Sequence, residues 1–379
     1  MLNVLHIISD TNIGGAGIHL LTFLERFDRE KLAVWVLCPA RSMLLERCRA
    51  LDVPVYTSPY LSGDRSFGWS GLRGLRRDLG AIVRDKKIPL VHTHASFSGR
   101  LAAKTLRAPY IVYTKHRQDW DPGRGWVRKQ AVAWLNRLTC HHAIAVSEGV
   151  KRDLVAGGLP AKKVTVIYNG VDGDKINELA LHPPADPLPE VAGKRVVGMV
   201  ARLEPEKGHR YFLEAAAQVL IEYPNVLFLV VGAGSLADSL PKLADSLGIS
   251  DRVVFTGYRK NAAGLINLMD ILVIPSLTEA FGITMVEGMC LGKPCVASAV
   301  GGLAEIAGAD GDLAYLVQPG DSVALASKIR CLLENPETAR VMGEKGARVA
   351  AARFSAQKMT NEITELYYRL LGDMDNVGY

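Results

Sequence analysis

The 379-residue sequence has no stretch approaching about 18 uncharged apolar residues, so no part of it reads as a membrane-spanning helix. It has no C-x-x-C pair either. Cys38, Cys48, Cys140, Cys290, Cys295 and Cys331 are scattered, which argues against a disulfide framework or a cysteine zinc site and for a reducing, cytoplasmic setting. No H-E-x-x-H occurs, which removes the commonest helical zinc motif. The glycines after the first apolar run do not follow G-x-G-x-x-G, and no Lys-Ser/Thr follows them, so nicotinamide and P-loop chemistry are poorly supported. Met1–Ile8 is apolar but lacks a basic leader and is interrupted by Ser9-Asp10. It reads as a first strand and not a signal peptide.

What is present describes an ordinary globular chain: 49% hydrophobic and 22% charged residues. The length suits two domains. The net charge of +6 is uneven: residues 1–190 carry 27 Lys plus Arg against 18 Asp plus Glu, or +9, and the remainder carries 18 against 21, or −3. A basic first half suits an acidic, phosphorylated or lipid-linked partner or an anionic membrane surface. No recognition motif supports nucleic acid. Phe67, Trp69, Leu72, Leu75 and Leu79 alternate with Arg65, Arg73, Arg76, Arg77 and Arg84, and Trp120, Arg124, Trp126, Arg128 and Lys129 form a second basic–aromatic group. Two readings stand: contact with the inner face of a membrane, or apolar side chains completing a core under solvated arginines.

Short β-rich runs alternate with helical patterns in both halves, which predicts an α/β protein of two Rossmann-like doubly wound parallel-sheet domains facing a cleft. In the first half the strands are Val4–Ser9, Leu32–Leu37, Pro54–Tyr56, Leu90–Thr93, Tyr110–Thr114, Ala143–Val146 and Val164–Tyr168, with helices at Ile18–Phe27, Leu72–Arg84, Ser98–Thr105 and Ala131–Thr139. The prolines of 181–193 mark a linker. The alternation restarts with strands at Arg195–Val200, Val226–Val231, Val253–Thr256, Ile271–Pro275, Pro294–Ala297 and Ala314–Val317, and helices at Gly208–Tyr223, Leu236–Leu247, Ala262–Met269, Thr284–Gly292, Ser322–Glu334 and Thr338–Ala352. The expected division is 1–180, the linker 181–193, 194–355, and a last helical segment within 356–379 that crosses back to the first domain. In that segment Met359, Ile363, Leu366, Tyr367 and Leu370 share one face.

In doubly wound domains ligands bind beyond the carboxyl ends of strands, and four loops there carry candidate chemistry. Gly14-Gly15-Ala16-Gly17 lets backbone approach an anion at a helix start, or is only a tight turn. Arg202 and Lys207 could grip a diphosphate, unless Glu204 and Glu206 neutralise them. Glu279 and Glu287, eight apart, could accept from hydroxyls at two parts of one ligand, with the N–H groups of Phe281, Gly282 and Ile283 near phosphate. An acid–base pair for glycoside hydrolysis is the competing reading, but such an enzyme needs no phosphate grip. Thr256, Tyr258 and Arg259 could meet a nucleobase. His94 and His116 end strands and could line a site. His92 fits a satisfied structural histidine, His141, His142 and His182 read as surface residues, and His6 and His19 are uninformative singly. A zinc site at His92, His94 and His116 is open on spacing alone, though no metal is expected.

Together these motifs resemble the large family of retaining glycosyltransferases called family 4, of two-Rossmann fold type B, over nearly the whole chain. The Glu279-to-Glu287 stretch carries most of the likeness, with Pro275-Ser276-Leu277-Thr278-Glu279-Ala280-Phe281-Gly282, Arg202, Lys207, Gly14-Gly15 and Val166-Ile167-Tyr168-Asn169-Gly170-Val171-Asp172 in support. The resemblance implies transfer from a nucleotide-diphosphate sugar, most commonly UDP-linked, without a divalent metal and with no cofactor beyond that donor substrate. It implies that Glu279 contacts sugar hydroxyls, that Glu287 holds the ribose, and that Arg202 and Lys207 bind the diphosphate. Gly14 and Gly15 would approach that phosphate, and His116 would face the reacting sugar. Gly17 stands where many relatives carry a glutamate. The functional alternatives are a non-catalytic nucleotide-sugar or phosphoanion-binding module and a nucleotide-sugar epimerase.

Overall fold

The computed structural model describes residues 1–61, 68–106, 110–118, 134–182, 188–308 and 311–375. In chain order the elements are β1 (Leu2–Ile8), α1 (Gly15–Arg26), β2 (Leu32–Pro39), α2 (Leu44–Ala50), β3 (Val55–Ser58), α3 (Trp69–Asp85), β4 (Leu90–His94), α4 (Phe97–Thr105), β5 (Tyr110–Lys115), β6 (His142–Ala145), α5 (Glu148–Ala156), β7 (Val164–Val166) and α6 (Gly173–Ala180). They continue with β8 (Val196–Val200), α7 (His209–Glu222), β9 (Leu227–Val231), α8 (Ser239–Ser246), β10 (Val253–Gly257), α9 (Ala262–Asn267), β11 (Ile271–Ile274), α10 (Ile283–Cys290), β12 (Cys295–Ser298), α11 (Gly301–Ala307), β13 (Tyr315–Val317), α12 (Ser322–Glu334), α13 (Pro336–Arg353) and α14 (Ala356–Asp375). Residues 134–139 are also helical.

The chain divides into two compact units, Met1–Gly170 with Ala356–Tyr379, and Val171–Ser355. The first is built on a seven-stranded sheet of order β3-β2-β1-β4-β5-β6-β7, and every pairing is parallel. The second has a six-stranded parallel sheet, β10-β9-β8-β11-β12-β13. The expected architecture of two doubly wound parallel sheets is therefore present. Central strands such as β4, β9 and β12 are buried at every residue, as a sheet covered by helices on both faces requires.

Several helix starts follow from capping residues. The side chains of Ser96, Ser147, Asp172 and Asp321 accept from the N–H groups of Gly99, Val150, Lys175 and Ala324, satisfying donors that the first helical turn leaves open. In the first unit, one face of α14 (Met359, Ile363, Leu366, Tyr367, Leu370) joins the core formed by Val4, Leu20, Phe23 and Val36. On α3, Leu75 and Leu79 are buried while Arg73, Arg76, Arg77 and Arg84 are exposed, the arrangement of an amphipathic helix. Arg65, Phe67 and the group from Trp120 to Lys129 lie outside the described residues. Among the described residues no helix is long and apolar enough to cross a membrane.

In the second unit, Gly208 ends the β8–α7 loop at φ +75°, and a Cβ there would come within 1.9 Å of the Pro275 carbonyl oxygen. This contact presses the loop after β8 against the loop after β11, and Leu277 N–H donates to the Glu206 carbonyl at 2.8 Å beside it. Only glycine satisfies both the left-handed backbone and the close approach. Gly208→Ala should lower stability by about 2 kcal/mol or more. A denaturant-unfolding midpoint equal to that of the parent would contradict this packing.

Candidate active site

Each sheet reverses its strand order beside its first strand, between β1 and β4 and between β8 and β11. At such a point the two flanking connections leave on opposite faces of the sheet, and a crevice opens at the strand ends. The candidate residues of both units concentrate there.

In the second unit Arg202 and Lys207 follow β8, and Ser276, Glu279, Phe281, Gly282 and Ile283 follow β11. The two loops meet in an ion pair. Lys207 Nζ lies 2.6 Å from Glu279 Oε2, with each side chain about one-fifth exposed (18% and 19%). Ser276 Oγ donates to the same carboxylate oxygen at 3.4 Å. Partial desolvation makes such a pair stronger than a surface bridge, but either member still has polar capacity for a ligand. Glutamates 204 and 206 do not share the two cations evenly. Arg202 Nη2 bonds Glu206 Oε1 at 2.9 Å, whereas Glu204 accepts from the Ser235 N–H and hydroxyl. Arg202 remains mostly exposed, at 64% of its side chain.

Phe281 is buried and packs edge-on against Phe354, and the Glu279 carbonyl accepts from Gly302 N–H, which anchors the turn into α10. Gly282 caps that helix, so the N–H groups of its first turn face outward from the helix start. One turn further along, Glu287 is half-buried, and burial pushes its carboxyl up to about 7. Gly232, after β9, has φ +149°, and a Cβ there would sit 1.9 Å from the Ala201 carbonyl oxygen, so a third loop lies against the cation loop. Thr256 lies at the end of the edge strand β10, and Tyr258 and Arg259 follow it. Arg259 Nε donates to the Thr256 carbonyl, and Tyr258 is exposed. The Lys207–Glu279 contact and the role of Ser276 are not legible as pairs 72 and 3 residues apart; a serine beside a strand-end proline is the only sequence cue for the latter.

In the first unit Gly14 caps α1 in an extended conformation. A Cβ on Gly14 or Gly15 would meet nothing within 4 Å, so internal packing does not demand glycine there. Next to them five histidines converge. The parallel register sets His6 opposite His92, and the two-residue period of β4 puts His92 and His94 on one face. His6 Nδ1 lies 2.9 Å from His94 Nε2, and His94 Nδ1 lies 3.2 Å from His116 Nε2. His19 Nδ1 meets Asn169 Oδ1 at 2.8 Å. His92 is fully engaged, with Nδ1 on the Tyr367 hydroxyl and Nε2 on the Thr114 hydroxyl, in keeping with a structural role. His6 and His19, uninformative in the sequence, are thus central to the cluster. His141 and His142, read as surface residues, are not: β6 runs between β5 and β7, His142 is buried against Thr165, and His141 Nδ1 accepts from Ile111 N–H. Interior strand pairing overrides the polar look of the dipeptide.

Burial holds the His6 imidazole down to about 3 and His19 to about 4, and pushes His92, His94 and His116 well below the ordinary 6.5. These rings are neutral in the fold and protonate near 6.5 when unfolded. The stability they permit is complete above pH 6.5 and is lost as pH falls toward about 4. The urea midpoint of the first unit's unfolding should therefore drop steeply between pH 6.5 and 4, with a shallower slope in His6→Gln. Equal midpoints across that range would refute neutral burial.

Residues 13–175 match the family described as Glycosyltransferase Family 4, and residues 186–349 match Glycosyl transferases group 1. The chain is 31% identical over 316 residues to alpha-D-kanosaminyltransferase of Streptomyces kanamyceticus, covering 77% of this chain and 78% of that one. It is 29% identical over 316 residues to the putative glycosyltransferase EpsD of Bacillus subtilis, covering 79% and 81%. In structure it resembles HepE of Anabaena in complex with UDP-glucose, with a TM-score of 0.81, 23% identity, and 97% and 100% of the two chains covered. Two doubly wound parallel sheets, each with polar residues at its switch point, define the two-Rossmann, fold type B class. The chain belongs to the family 4 glycosyltransferases.

Proposed function

We propose that the protein transfers a sugar from a nucleotide-diphosphate donor, UDP-linked, to an acceptor hydroxyl with retention of anomeric configuration and without a metal requirement. The observation that carries this reading is the half-buried Lys207–Glu279 pair at the β8/β11 switch point, with Glu287 one turn into α10. The UDP-glucose bound by HepE and the transferase activity named for the Streptomyces relative support the donor class. A donor diphosphate takes over the Lys207 ammonium, and Glu279, released from it, accepts from sugar hydroxyls. Glu287 in its ionised form accepts from the ribose. As the glycosidic bond breaks, negative charge grows on the departing diphosphate. Lys207, Arg202 and the backbone N–H groups of Phe281, Gly282 and Ile283 at the entry to α10 stabilise it where it develops. Gly14 and Gly15 approach the phosphate, His116 faces the sugar, and Thr256, Tyr258 and Arg259 contact the base. The exposed arginines of α3 fit an acidic, phosphorylated or lipid-linked acceptor, as in envelope polysaccharide or glycolipid synthesis, and a peripheral position on the inner face of the membrane.

Transfer kinetics with donor titration test the roles. Lys207→Ala should lower kcat by roughly 100-fold, with a smaller change in donor affinity. Glu287→Ala should raise donor Kd by about tenfold, the effect of losing one charge-assisted hydrogen bond. Unchanged transfer by both variants would sink the assignment. A second test is pH. Glu287 is protonated below about 7 and cannot accept fully there, so donor binding should tighten as pH rises through that value. The Glu287→Gln variant should bind weakly and with a flat pH profile. Activity should survive EDTA, and a loss restored by Mg²⁺ or Mn²⁺ would overturn metal independence.

A further inference from the structure

The histidine cluster of the first unit contains more nitrogen than its own hydrogen bonds use. His19 Nε2 and His116 Nδ1 are buried without a hydrogen-bond partner. Two triads bring one nitrogen from each ring within 4.8 Å of one another: His6, His92 and His94, and His19, His94 and His116. The first is spoken for, because both His92 nitrogens are already bonded to Tyr367 and Thr114. In the second, His94 is bonded on both sides as well, but its Nδ1 partner is His116 of the same triad, so no group outside the triad and its neighbour His6 has to be displaced from it, and the half-buried His116 gives an ion a way in.

We propose that His19, His94 and His116 form a site for a divalent transition ion of the zinc class, and that its occupation inhibits the enzyme by engaging His116. Three features of the site carry the assignment. Tetrahedral nitrogen ligation at about 2.0–2.1 Å sets neighbouring nitrogens about 3.3–3.4 Å apart. His94 Nδ1 and His116 Nε2 already lie 3.2 Å apart. The outer nitrogens of His19 and His94 are held as metal-binding imidazoles require, whereas that of His116 has no partner. The Asn169 amide oxygen can only accept, so it fixes the proton on His19 Nδ1 and leaves Nε2 as a bare lone pair. His94 Nε2 faces His6 Nδ1 and can donate to it, which frees His94 Nδ1. His116 carries its proton on Nδ1 and offers Nε2. In this tautomer set every ring is neutral and each ligand nitrogen presents a lone pair, so binding requires no net proton release. Three imidazoles leave a fourth position for water or a ligand atom, and the all-nitrogen set favours Zn²⁺ or Co²⁺ over Mg²⁺ or Ca²⁺. The inhibitory part rests on the role proposed for His116, whereas binding does not.

The test uses chelator-treated full-length protein titrated with Co²⁺ and followed by visible d–d absorption, with metal content measured after dialysis. The expected result is a saturable signal at one equivalent, displaced by Zn²⁺ and unaffected by Mg²⁺. His19→Gln and His116→Gln should each weaken Co²⁺ binding by at least about tenfold, and exposed His182→Ala should leave it unchanged. Far-UV circular dichroism identifies the variants that fold, and His116→Gln, at the half-buried ring, keeps the test open if His19→Gln does not. No one-equivalent signal in the parent, or parent-like binding in a folded His19→Gln or His116→Gln, overturns the site. Inhibition is read separately: Zn²⁺ should suppress transfer by the parent over the range in which it displaces Co²⁺. Co²⁺ binding in a protein that transfers no sugar would uphold the site and remove the function instead.

Discussion

Parallel strands must be joined by crossovers of one hand, so a sheet that grows in both directions from its first strand sends adjacent connections to opposite faces. Both sheets of this protein obey that constraint, between β1 and β4 and between β8 and β11. The rest of the functional architecture depends on it. The strand ends and loops that open the two crevices carry Gly14 and Gly15, His94 at the end of β4, the Arg202–Lys207 run and the Ser276–Gly282 run.

The two switch points solve different electrostatic problems. In the second unit opposite charges are brought together, and the cost of partly desolvating Lys207 and Glu279 is offset by their 2.6 Å contact. A ligand that supplies a negative group to the lysine and hydroxyls to the carboxylate replaces that contact with equivalents. The pair is therefore poised, not consumed. Glu287 lacks such an offset, which is why burial alone raises its proton affinity. In the first unit charge is excluded. Five imidazoles share a small number of hydrogen bonds in a core closed by Tyr367 of α14, and each is kept neutral by its surroundings. The same neutrality that makes the cluster acid-sensitive also leaves lone pairs within it.

Much of this was legible from residue order. The strand–helix rhythm located every strand of both sheets to within a few residues, because buried parallel strands read as continuous apolar runs. The apolar face of α14 was visible as a spacing. Four helices were not read: α2, α5, α6 and α11. Ser147 and Asp172 are good caps, but α5 and α6 are short and weakly apolar. The segment from Val171 to Ala180, read with the first half, packs in the second unit, where Gly173 approaches Cys290. Composition could not assign it, since its membership is decided by contacts more than 100 residues away.

Local spacing carried the Glu279–Glu287 interval, the cations after β8 and the glycines after β1, since each is a short-range pattern on one loop or helix. Partnership was decided only in three dimensions. Lys207 pairs with Glu279 and not with its neighbours Glu204 and Glu206, His142 is interior, and His6, His19, His94 and His116 assemble from β1, α1, β4 and the end of β5. A carboxylate chooses among cations, and an imidazole among burial environments, by distances that parallel register and loop packing set. Those distances join residues far apart in the chain, so no local reading of the sequence contains them.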